Sequence, residues 1–246
     1  MKNFKGIVYA ALSSSTFGLA PLFSILLLSD GFSSFEVLSY RWGVASLTLG
    51  IVGLAGGCRF RISRQELCTV FFLSLFRAAT SLSLVIAYQN ISSGVASIIH
   101  FMYPLAVALA MALFFHERIS WRTAAAIGVS LAGVALLSAG GIGSRGGDTT
   151  SGTVAAAVSV FAYAGYIIGV RKSRAAQVES TTLTFYVMAF GALLFLCGGM
   201  FTGGVRLVTD GKEWLAILGL ALPSRWSGRS NSSGRRSHRF SGRWNH

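Results

Sequence analysis

The sequence predicts an all-α polytopic membrane protein, and three observations carry that reading. Apolar runs of bilayer-crossing length recur along its 246 residues. Only 12% of the residues are charged, about half the share usual in a soluble domain. Basic residues gather in every second loop, as they do when a chain is oriented by the positive-inside rule. A soluble core of this size would alternate apolar and polar faces, and these runs do not.

The first run, residues 6–29, carries Ser13, Ser14, Ser15 and Thr16 at mid-length and Pro21 one turn later. Hydroxyls in a lipid-buried helix back-bond to their own backbone or reach a neighbour, so helix packing and pore lining both fit. Lys2 and Lys5 precede this run as in a signal peptide. The run is longer than a usual signal core, however, and no small-residue cleavage site follows, which predicts a retained first span. The second run is 35–56, followed by Arg59, Arg61 and Arg64 in a basic loop. The third is 67–88, with an uncharged link, 89–92, behind it.

The fourth run, 94–115, has 22 uncharged residues, about 33 Å of helix, with Pro104 in its middle. Proline gives no N–H to the carbonyl four residues back, which belongs to His100. The expectation is a kinked helix with a freed carbonyl, an imidazole and the Tyr103 hydroxyl at mid-membrane depth. Polar groups are expensive there and mark a pathway or a polar contact between helices. Glu117 and Arg118 close the run as an interfacial collar, with Arg122 nearby to pair the carboxylate.

Small residues dominate the fifth run, 123–139, which suits a buried packing helix. The Gly-rich loop 140–152 contains a GxGxxG match at Gly141, Gly143 and Gly146, but no strand precedes it, so it reads as loop composition. The sixth run, 153–170, carries Tyr163, Tyr166 and a GxxxG at Gly165 and Gly169; the seventh is 181–201. An eighth starts at Trp214 and stops after about ten residues, half a bilayer. Residues 223–246 then hold six arginines and seven serines, a composition with no core to pack. That abrupt shift reads as a truncated or frameshifted end, against the alternative of a basic tail for anionic headgroups.

With the N-terminus inside, the inner loops hold ten lysines and arginines and the outer loops three, Arg145, Arg206 and Lys212. The same distribution explains the +13 net charge without nucleic acid, because the basic residues alternate with the spans and do not form one face. Three cysteines show no metal-ligand spacing, and no metal or cofactor site is legible.

Aligning Gly6 with Gly152 gives GIVYAALS against GTVAAAVS, five identities in eight positions. A first unit over 6–139 holds five spans, an odd number, so a second copy from 152 to 222 sits inverted in the membrane. At this point the chain resembles the EamA-type permeases of the drug/metabolite transporter superfamily. The resemblance rests on GVASIIHFMYPLAVALAMALFFHERIS and the following IGVSLAGVALL, with RWG at Arg41 and AYQNIS beside them. It covers roughly residues 6–222 and implies ten helices in two inverted five-helix repeats, both termini cytoplasmic, transport of small metabolites and no bound cofactor. By that pattern the second repeat is incomplete, and the chain as a whole holds about seven helices and a partial eighth.

Two arginines lie within spans. Arg41, near the outer end of the second run, either snorkels to the interface or joins the substrate pathway as a cation for an anionic group. Arg77, near mid-depth of the third, needs a partner or a wet cavity, because a charge at a helix centre costs roughly 2.5–3.5 kcal/mol. Its partner is either an anionic substrate group or freed carbonyls such as that of His100. His100 and Tyr103 are substrate-pathway candidates or helix-to-helix hydrogen bonds; Tyr163 and Tyr166 either face the same cavity or pack. The leading expectation is a permease working by alternating access, lined by Arg77, His100, Tyr103 and the break at Pro104. Its partners are the lipid bilayer and a small polar solute, with anions among the candidates, and a homodimer is left open. The alternatives are a non-transporting remnant and a small multidrug exporter that works as an oligomer. An enzyme finds no cluster of His, Cys or carboxylates at catalytic spacing. The expected location is a bacterial cytoplasmic (inner) membrane, multi-pass, with the N-terminus in the cytoplasm.

Overall fold

A computed structural model describes residues 24–58, 60–116 and 147–203, together with isolated helical positions between 121 and 133. The expectations for residues 6–23, for most of 123–139, for Glu117 and Arg118, for the GxGxxG match and for everything from residue 204 onward lie outside the described residues. What is described is helical. In order these are α1 (Ser34–Ala55), α2 (Arg64–Asn90), α3 (Ser93–His100), α4 (Tyr103–Phe115), α5 (Thr149–Lys172), a 3-10 turn (Arg174–Gln177) and α6 (Ser180–Thr202). Among the described residues five segments are long and apolar enough to cross a membrane, α3 and α4 together counting as one of them.

The helix ends follow from local chemistry. Residues 24–29 are helical, and the helix closes at Gly31 (φ +83°) with Gly31 N–H bonded to Leu28 O and Phe32 N–H to Leu27 O. This is the left-handed glycine ending, and its customary apolar contact is present, with Leu27 and Phe32 buried in one cluster with Val37. Both α1 and α2 open on a capping box. Ser33 pairs with Glu36, and Ser63 with Glu66, each serine capping the third helical N–H while the glutamate returns to the serine N–H. α5 begins four residues earlier than its hydropathy suggests. Asp148 accepts from the N–H groups of Thr150 and Ser151, so residues 149–152 join the helix and not the loop.

The fourth span does not kink; it breaks. α3 stops at His100, Phe101 and Met102 form a turn, and α4 starts at Tyr103 with Pro104 in its first turn. The first turn is where proline is tolerated, because the missing N–H would have no helical partner there. A proline centred in an apolar run has thus become the start of a new helix.

α2 is the spine. It packs most extensively along α5, α1 packs along α6, and α2 also meets α6. The GxxxG of α5 makes the first contact close: a Cβ at Gly165 would stand 3.1 Å from the Phe76 ring, and one at Gly169 would run into Leu73. Between α1, α2 and α6 lies an apolar core that includes Leu38, Trp42, Val70, Leu73, Val85 and Val187. The outer faces are also apolar, with Ile51 68%, Phe161 71% and Phe201 91% exposed. Such faces are unfavourable in water and at home in hydrocarbon.

Candidate functional site

Arg77 sits at the midpoint of α2. Its Nη1 donates to Ser81 Oγ at 3.2 Å, one turn along the same helix. Its Cζ lies 5.6 Å from the centre of the Trp42 ring of α1 and 5.1 Å from that of Tyr163 on α5. Aromatic faces carry negative quadrupole density, and a desolvated cation over one gains about 0.5–2 kcal/mol. The expected bond from Arg77 to a freed carbonyl of His100 is not what forms; a hydroxyl on its own helix and two rings hold it instead.

Tyr163 is the hub of the rest. The His100 ring lies 5.4 Å from it, and Tyr103 meets it edge-on at 4.5 Å and 85°. Tyr166 stacks on it at 5.8 Å, with 18° between planes. His100 and Tyr103 stand on either side of the break, 5.8 Å apart. The His100 Nδ1 is 2.9 Å from Ser159 Oγ of α5. The sequence candidates Arg77, His100, Tyr103, Tyr163 and Tyr166 therefore come together, with Pro104 next to Tyr103. Arg41, one residue before Trp42, lies within electrostatic range of Arg77 and Tyr88. Tyr88 in turn places its hydroxyl 3.4 Å from Ser97 Oγ.

Three contributors were not singled out from the sequence: Trp42, Ser81 and Ser159. Ser81 stands four residues after Arg77, a spacing that puts both on one helix face. Ser159, Tyr163 and Tyr166 follow the same rule, and Ser159 is the last identity in the eight-residue repeat match. Trp42 is a tertiary partner brought by the packing of α1 beside α2.

The ends of the bundle are fastened separately. On one, Asn90 Oδ1 accepts from Asp148 N–H at 3.2 Å, tying the end of α2 to the start of α5. The Asp148 carboxyl is held below its usual range by the Ser151 hydroxyl and by the N–H groups of Thr150 and Ser151. On the other, Lys172 Nζ lies 4.5 Å over the Phe115 ring. Cys58 Sγ there approaches Glu179 Oε1 at 3.7 Å, and burial, followed by that carboxylate, pushes the thiol up.

The EamA-like transporter family matches this chain over residues 4–139. An uncharacterized transporter of Archaeoglobus fulgidus is 26% identical over 137 residues, 55% of this chain and 44% of that protein. The match thus takes in less than half of that relative's length. A crystal structure of another protein superposes with a TM-score of 0.58 at 22% identity, over 89% of this chain and 80% of the other, a likeness of fold.

Proposed function

The chain belongs to the EamA-like transporter family, and on that premise we propose a permease that carries a small polar, anionic metabolite by alternating access around Arg77, His100, Tyr103 and Tyr163. Arg77 carries this reading. Among the described residues no carboxylate meets it; two aromatic faces and one serine hydroxyl do. A carboxylate partner would neutralise the guanidinium and weaken its pull on an incoming anion, whereas rings stabilise the charge without cancelling it. A second cation, Arg41, lies within its field.

The break at Phe101–Met102 supports the transport reading, since interrupted helices at mid-membrane are where secondary transporters place their binding groups. The contact of α1 with α6 supports the inverted repeat. Counting residues 6–29 and 123–139 as the first and fifth spans, α1 is the second and α6 the seventh. A five-span offset makes them equivalents, and a two-fold axis in the membrane plane passing between them would bring this pair into contact. In this arrangement the N-terminus and Arg61, Arg64, Arg171, Lys172 and Arg174 face the cytoplasm.

Flux of labelled small carboxylates and of their uncharged amides into proteoliposomes tests the proposal. The acids should move and the amides should not. Arg77→Ala should abolish acid flux while leaving insertion intact, and Arg77→Lys should retain part of it. Acid flux through Arg77→Ala at the unsubstituted rate would remove the basis for the anion reading.

A further inference from the structure

The hydrogen bonds of Ser159 decide the state of His100. Ser159 is fully buried, and its Oγ lies 2.6 Å from the Ala156 carbonyl, to which it donates, and 2.9 Å from His100 Nδ1. A hydroxyl has one proton to give. With that proton directed to Ala156 O, Ser159 can only accept from the imidazole. The reverse arrangement would leave two acceptor oxygens 2.6 Å apart with no hydrogen between them. In neutral His100, therefore, the proton belongs on Nδ1, and Nε2 carries a lone pair.

No hydrogen bond from a described residue reaches Nε2. Among the described residues the rings beside it are Phe101, Tyr103 and Tyr163, tilted to it by 51°, 41° and 44°, with Arg77 over the same Tyr163 ring. Arg77 offers only donors and the His100 Nε2 only an acceptor. Their complement is a small molecule with an acidic group at one end and a hydrogen-bond donor near it.

From this geometry we infer that Ser159 is a positioning residue that locks His100 as its Nδ1–H tautomer, so that the site selects carboxylates bearing a neighbouring hydroxyl or amino group over those without one. The selectivity rests on the anion reading above; the tautomer does not. A site built to accept from a substrate O–H or N–H discriminates against the analogue lacking it, because its own polar group is then left unpaired.

The test uses the full chain in detergent micelles or nanodiscs, with histidine-selective ¹⁵N labelling and His100→Gln to assign the signal. The ¹⁵N spectrum should show Nδ1 protonated and Nε2 bare. Ser159→Ala should abolish that preference and Ser159→Thr restore it, a pattern that a purely packing role for the hydroxyl would not give. Lactate and propionate, which share a carboxylate and differ in one hydroxyl, serve as probes. Lactate should bind at least about tenfold more tightly and shift the Nε2 resonance, with the difference lost in Ser159→Ala. A bare Nδ1 with protonated Nε2 overturns the inference, as does equal affinity for the two acids. Binding of neither overturns the selectivity together with the anion reading, a result the unchanged tautomer spectrum would distinguish from a misread hydrogen bond.

Discussion

α2 has two sides, and they are built on different terms. Towards α6 its contacts are apolar, with Phe71 edge-on to Phe190 at 5.4 Å, and beside them α1 meets α6 ring against ring and ring against glycine. Trp42 meets Phe195 edge-on at 5.5 Å, and Gly191 lies so near that ring that a Cβ there would collide with it. Towards α3, α4 and α5 the same helix presents Arg77, and the opposing groups are the imidazole and phenol that flank the break, His100 and Tyr103, with two phenols and a serine on α5. The first side is apolar, while the second, close-packed at Gly165 and Gly169 of α5, also carries polar atoms with hydrogen-bonding capacity to spare. Trp42 belongs to both, with one edge in the core and its face toward the guanidinium. The apolar side thus helps to fix the geometry of the charge that the polar side surrounds.

Gly191→Leu should do the most damage, since the branch must displace Trp42 and with it one of the two rings over Arg77. Overpacking of this kind costs roughly 1–3 kcal/mol or more, visible as a lower unfolding temperature together with lost anion flux. If the protein kept both, the close contact would not be what positions the ring. Next in size is the coupling across the boundary. A double-mutant cycle of Trp42→Leu with Arg77→Leu should give an interaction energy of about 0.5–2 kcal/mol, and additive effects would sever the two sides.

Thr182 offers a smaller change of opposite sign. Among the described residues its Oγ1 is a buried side-chain oxygen without a hydrogen-bond partner, in the first turn of α6. Thr182→Val, of the same shape, should stabilise by on the order of 1 kcal/mol, read in thermal unfolding. A loss of stability would mean that the hydroxyl is satisfied.

The least effect is expected at the Asn90–Asp148 fastening. The Asp148 carboxyl is depressed by its hydrogen bonds, so its contribution is complete above the usual carboxylate range and is lost as pH falls through the lower folded value. Unfolding temperatures taken from about pH 6 to about pH 3 should therefore show an acid-side decline that Asp148→Asn makes shallower. Identical profiles would exclude the carboxylate as its source.

The spans were legible because hydrocarbon demands long unbroken apolar runs, and charge alternation confirms their order. Their starts were not, since hydropathy is blind to hydrogen bonds. The Ser33–Glu36 and Ser63–Glu66 boxes and the Asp148 cap each recruit polar residues into the first turn. At Pro104 the sequence marked a disturbance without its kind, because a missing N–H is compatible with a bend or with a fresh start. Arg77, His100 and Tyr103 were singled out by one rule, that polar groups at mid-depth need company, and Tyr163 and Tyr166 by their place in the repeat. The company itself was only half visible: Ser81 and Ser159 by helical spacing, Trp42 by nothing short of the fold.

In an uninterrupted span such as α2, the peptide dipoles add along the full thickness of the bilayer. Where α3 ends and α4 begins they form two shorter dipoles in series, with the negative pole of one facing the positive pole of the next. Those poles lie beside His100 and Tyr103. The main chain therefore sets an oriented field inside the span, whatever the side chains around it do.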